Sequence, residues 1–97
     1  MATTGESIQR RLVISGTVQG VSYRAWMAAA ARTRGLAGWV RNRRDGTVEA
    51  VVSGPADAVS AMVRDCYSGP SAARVSAVHS ETIVAPDVEG FQQRPTV

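Results

Sequence analysis

Lysine is absent: all eleven basic residues are arginine. No mechanism that needs a Schiff-base or general-base lysine is open to this chain. There is one histidine, His79, and one cysteine, Cys66. A Ser-His-Asp triad would have to pass through His79, and a structural zinc site would have to be built mostly from carboxylates. Cys66 has no partner for an internal disulfide, which fits a reducing compartment and a cytoplasmic location. Aromatics make up only 5% of the 97 residues. No apolar run approaches the ~18 residues of a membrane helix. The first seven residues lack the basic start and apolar stretch of a secretory signal. Any catalysis is left to arginine, amides, hydroxyls and backbone, with no metal or cofactor expected.

Hydrophobic residues make up 44% of the chain and charged residues 20%, an ordinary globular balance. Eleven basic against eight acidic residues give a net charge of +3, with a pI near 10.0. The apolar supply is mostly alanine and valine, which suits a small core of short helices on a valine-rich sheet. The length allows one domain. Residues 1–8 are small and polar and read as a loose tail, leaving 9–97 as the domain.

The β-branched run Arg11 to Val18 reads as a strand, broken by Gly16 and Gly20. A helix follows, with Tyr23, Trp26, Met27 and Ala30 on one face and Gly35 as its stop. Trp39 to Arg43 alternates large and polar residues, Arg44-Asp45-Gly46 is a turn, and Thr47 to Val52 returns as a strand. Pro55 suits the first position of a second helix, whose stripe is Ala58, Val59, Met62, Val63 and Cys66. A strand over 74–84 follows, with a bulge expected where Val75 and Val78 break strict alternation, and a short last strand runs from Phe91 to Arg94. The order βαββαβ, plus the short strand, predicts an α+β ferredoxin-like sandwich: a mixed or antiparallel sheet with two helices on one face. That fold hosts many functions.

Two positions call for an explanation. Gly16 and Gly20 lie between a strand and a helix N-terminus, where backbone N–H groups can converge on an anion. Arg24 falls in the first turn of that helix, the end that favours acids. A bound anion held bidentately by the guanidinium accounts for it; a glycine turn with a solvated arginine is the other reading. Asn42 lies in a strand, where propensity disfavours it. Its amide can orient a water or make a local hydrogen bond at a hairpin end. Arg41 and Arg43 fall on the opposite face from Asn42, as solvated or substrate-steering charge. Cys66 on the apolar stripe reads as a core thiol, Trp26 and Trp39 as core or half-buried platforms, and Asp45 and Glu49 as turn and surface residues. An RNA-binding module of this topology would stack bases on aromatics in its two central strands; the strands at 12–18 and 47–52 carry none.

Gly16-Thr17-Val18-Gln19-Gly20-Val21-Ser22-Tyr23-Arg24 resembles the first signature of the acylphosphatase family, and Gly38-Trp39-Val40-Arg41-Asn42-Arg43-Arg44-Asp45-Gly46-Thr47-Val48 with Gly54 resembles the second. Ala73-Arg74-Val75 and Gly90-Phe91-Gln92-Gln93-Arg94-Pro95 look like the bacterial members. The resemblance runs over residues 9 to 95. Tyr23 stands where phenylalanine is usual. The resemblance implies metal-independent hydrolysis of acylphosphates to a carboxylate and inorganic phosphate by a small cytosolic protein. It implies that Gln19, Gly20, Val21, Ser22, Tyr23 and Arg24 hold the phosphoryl group through backbone amides and the Arg24 guanidinium, and that Asn42 holds the attacking water. A covalent phosphoenzyme is the alternative course. The partners expected are a small-molecule acylphosphate and free phosphate or sulfate as product or inhibitor, with no nucleic acid or membrane, and the protein is expected to be a monomer.

Overall fold

The structure, a computed structural model, describes residues 7–97. Five strands and two helices follow in the order β1 (Ser7–Thr17), α1 (Tyr23–Thr33), β2 (Ala37–Asn42), β3 (Val48–Pro55), α2 (Ala56–Cys66), β4 (Arg74–Thr82) and β5 (Phe91–Gln93). Side chains alternate across each strand. Leu12, Ile14, Val40, Val48, Ala50 and Val52 all point to one face and are fully buried. Both helices cover that face with Tyr23, Met27, Ala28 and Ala31 from α1 and Val59, Met62 and Cys66 from α2. The result is the ferredoxin-like α+β sandwich expected, on a five-stranded sheet ordered β4-β1-β3-β2-β5. It is mixed: β1 pairs antiparallel with β3 and β4, β2 antiparallel with β3, and β2 parallel with β5.

This topology places the site. β1 and β2 both run antiparallel to the strand between them, so their C-terminal ends meet at the same end of the sheet. Ile14 and Asn42 flank Val48 from either side. The chain leaving β1 therefore enters α1 beside the end of β2.

Several boundaries differ from the sequence reading. Residues 1–6 of the expected tail lie outside the described residues. Ser7 and Ile8, also assigned to the tail, open β1 opposite Pro55 and Gly54. Pro55 is the N-cap of α2 rather than its first helical residue; its ψ of 142° is extended. The expected bulge is present. Ser15 lies opposite Ala77 and Gly16 opposite Val75, so Ser76 is the extra residue. Gly16 has φ +122°, and a Cβ there would run into the Arg74 carbonyl, so glycine is required at the bulge. β4 ends at Thr82, but the Ile83 N–H still donates to the Gln9 carbonyl at 3.1 Å.

Glu49 departs furthest from its expected surface role. It is 6% exposed, on the sheet face opposite the helices. Arg11 Nε lies 2.7 Å from Oε2 and Arg41 Nε 2.9 Å from Oε1, and Arg11 continues to Glu81 at 3.3 Å. Arg41 also stacks 4.6 Å from the Trp39 ring centroid, with Arg94 at 5.1 Å. Arg41 is therefore committed to the outer face of the sheet, as its strand phase predicts.

Candidate active site

Val18 turns into the core after β1, and the chain then reverses through Gly20 (φ +74°) and Ser22 (φ +65°). Ser22 is the one non-glycine residue with positive φ among those described. Such a conformation costs of the order of 1–3 kcal/mol and recurs at functional sites. Ser22 is the N-cap of α1, and its carbonyl accepts the first helical hydrogen bond from the Trp26 N–H at 2.9 Å. Its hydroxyl makes no cap. The first-turn N–H groups are thus left open, with the positive end of the helix dipole behind them. No acid occupies that turn.

These groups line a cleft of about 300 Å³. Gly20, Ser22, Tyr23 and Arg24 form one side, and Asn42 and Gln93 come from the ends of β2 and β5. Arg24 and Asn42, singled out in the sequence for separate reasons, share this cleft. Asn42 arrives there because it is two residues beyond the buried Val40 and so faces the helix side. Arg24 has no ion-pair partner among the described residues.

Three of the predicted loop residues direct their side chains elsewhere. Val21 packs against the core. Tyr23 is 1% exposed and its hydroxyl donates to the Cys66 carbonyl at 2.7 Å, so only its backbone serves the cleft. Burial raises the Tyr23 phenol well above its ordinary range. The Gln19 amide donates to the Arg43 and Thr47 carbonyls, away from the cleft. Gln93 went unnoticed in the sequence. Its phase with buried Phe91, two residues earlier, was the available signal.

Among the described residues no histidine, cysteine, aspartate or glutamate lines the cleft, and no group of three or more such side chains could hold a metal. Cys66 is a buried core thiol pushed up to about 12 by desolvation. His79 is exposed on β4, at the opposite edge of the sheet from β5. A larger groove of about 670 Å³ runs between α1 and α2, but its Arg34 and Asp65 pair with each other and it holds none of the predicted site residues. The smaller cleft offers a guanidinium, the N-terminal end of a helix and uncharged amides, groups that suit charge stabilisation and orientation rather than acid–base transfer. No described helix is long and apolar enough to cross a membrane.

Comparison with known proteins agrees with this fold. The acylphosphatase family model matches residues 10–93. An acylphosphatase of Acidovorax sp. (strain JS42) is 54% identical over 97 residues, the whole of both chains. One of Rhodopseudomonas palustris (strain ATCC BAA-98 / CGA009) is 58% identical over 86 residues, 89% of this chain and 86% of the relative. The solved structure of an acylphosphatase from Coxiella burnetii superposes with a TM-score of 0.88 at 35% identity, covering 91% of this chain and 93% of the other.

Proposed function

The chain belongs to the acylphosphatase family, and from that premise we propose that it hydrolyses the carboxyl–phosphate bond of small acylphosphates by direct attack of water, without a metal. Water and the acylphosphate give a carboxylate, inorganic phosphate and a proton. The phosphoryl group sits against the 19–24 loop, its equatorial oxygens held by backbone N–H groups and by the Arg24 guanidinium. The Asn42 amide holds the water in line with the bond that breaks. The observation that carries this reading is that Arg24 and Asn42 line one cleft at the open N-terminus of α1.

The chemistry suits the groups available. A carboxylate leaves without strong general-acid help, so a cleft that holds no histidine, cysteine or carboxylate among the described residues is no obstacle. Charge on a loose, metaphosphate-like transition state is spread over the equatorial oxygens, where the cradle lies. Asn42 is too weak a base to deprotonate water, so its role is orientation; a substrate oxygen takes the proton late. The same reading makes the protein a cytoplasmic monomer, inhibited by phosphate or sulfate and independent of nucleic acid and membrane. The test is hydrolysis of benzoyl phosphate by purified protein with excess chelator present. Unchanged turnover is expected; a large loss restored by magnesium or zinc would remove the metal-free mechanism, and isolation of a phosphorylated form of the protein after rapid quench with radiolabelled substrate would remove direct attack.

A further inference from the structure

Gln19 is placed between the strand that feeds the loop and the glycine that opens it, yet its side chain turns away from the cleft. Its amide nitrogen donates two hydrogen bonds, 2.7 Å to the Arg43 carbonyl and 2.8 Å to the Thr47 carbonyl. Those carbonyls stand at the two ends of the β2–β3 turn. The same turn is closed by the Arg43 N–H donating to Thr47 O at 2.9 Å and the Gly46 N–H donating to Arg43 O at 3.1 Å. Each carbonyl thus serves the hairpin with one lone pair and Gln19 with the other. Asn42 is the residue immediately before Arg43.

Little else ties loop to hairpin. The β1–β3 pairing stops at Ile14 opposite Val48. Among the described residues no other hydrogen bond joins residues 18–22 to residues 43–47. The residue type fits the task. Two acceptors require a donor with two hydrogens, which a side-chain amide supplies, whereas a hydroxyl supplies one and a carboxylate none.

We propose that Gln19 is a positioning residue: it clamps the phosphate-binding loop to the turn beside Asn42 and so sets the distance between the bound phosphoryl group and the water. The inference rests on the roles given above to Arg24 and Asn42. It assigns the Gln19 side chain a task distinct from phosphate binding. A displacement of about 1 Å between reacting groups is enough to cost ~10²-fold in rate.

Gln19→Met keeps the length and removes both donors. With benzoyl phosphate as substrate and inorganic phosphate as inhibitor, below the melting temperature, we expect kcat to fall ~10- to 100-fold while the phosphate inhibition constant stays within a few-fold of the parent. Because Gln19 acts through the placement of Asn42, adding Gln19→Met to Asn42→Ala should lose little beyond Asn42→Ala alone. Parent-like kcat in Gln19→Met, phosphate inhibition that weakens in step with kcat, or losses that multiply in the double variant would each overturn the clamp. If Gln19→Met melts below the assay temperature, Gln19→Glu carries the test. Protonation restores one donor, so its kcat relative to the parent should rise as pH falls, and a ratio flat with pH overturns the proposal. Parent-like turnover in Asn42→Ala removes the water-orienting role instead. A slow Asn42→Ala beside a parent-like Gln19→Met removes the clamp alone.

Discussion

Glu49 lies directly opposite Arg41 across the β2–β3 pair and accepts a hydrogen bond from its Nε at 2.9 Å, while Arg11 holds the other carboxylate oxygen at 2.7 Å. One carboxylate thereby joins three adjacent strands, β1, β3 and β2, on the face that no helix covers. The adjacent residue on β2, Asn42, points to the opposite face and into the cleft.

The Glu49 network makes stability depend on acid. Burial pushes the Glu49 carboxyl up, but the hydrogen bonds from Arg41 and Arg11 outweigh it and hold the group below its ordinary value of 4.5. A carboxyl that titrates lower when folded stabilises the fold fully above its ordinary value and loses that contribution as pH falls through the lowered one. Melting temperature should therefore drop below about pH 4.5. Glu49→Gln should lower stability at pH 7 by about 1–3 kcal/mol and flatten the acid side of the curve. Parallel pH curves for variant and parent would show that another group is responsible.

Arg24 and Asn42 should separate in kinetics. Arg24 meets the phosphoryl group before and during reaction, so Arg24→Ala should weaken phosphate inhibition and lower kcat together. Arg24→Lys should recover little, since a point charge does not reproduce the fork. Asn42→Ala should lower kcat by at least ~10²-fold and leave phosphate inhibition within a few-fold. Turnover and inhibition measured on the same folded proteins decide the assignment; near-parent kcat in Asn42→Ala sinks the water-orienting role.

Phosphate should bind the folded protein alone. At a hundredfold excess over Kd it adds about 2.7 kcal/mol to stability, so the melting temperature rises with phosphate. Chloride at matched ionic strength should not reproduce the rise, and Arg24→Ala should reduce it. Equal shifts in the two salts would point to general screening.

Tyr23 carries a hydroxyl whose partner is the buried Cys66 carbonyl at the end of α2. Tyr23→Phe leaves that carbonyl without its donor, at about 1–3 kcal/mol. The corresponding fall in melting temperature is about 4–8 °C per kcal/mol for a domain of this size. No change in melting temperature would mean that water or a local shift replaces the bond.

Elements set by local pattern were legible in the sequence. The β-branched run in 11–18, the strand returning from the turn over 47–52, the alanine-rich helix stopped at Gly35 and the stripe through Val59, Met62 and Cys66 all appear in the fold. So did the two misfits, because Arg24 at a helix N-terminus and Asn42 in a strand each break a local rule that holds whatever the chain packs against. Strand phase even placed Arg41 and Asn42 on opposite faces. Partners distant in sequence were not legible. Ser7 and Ile8 look like tail, and they become strand because Pro55 and Gly54 lie beside them. Glu49 reads as surface, and it is buried because two arginines from neighbouring strands close over it. Gln19 reads as part of a loop, and only the arrival of the β2–β3 turn gives its amide two carbonyls. The sequence by itself determined which residues prefer a strand, a helix or a turn, because those preferences act over a few residues. Which buried or half-buried polar group meets which was decided by tertiary structure, because a hydrogen bond needs its partner within about 3 Å and the register of the folded sheet sets that distance.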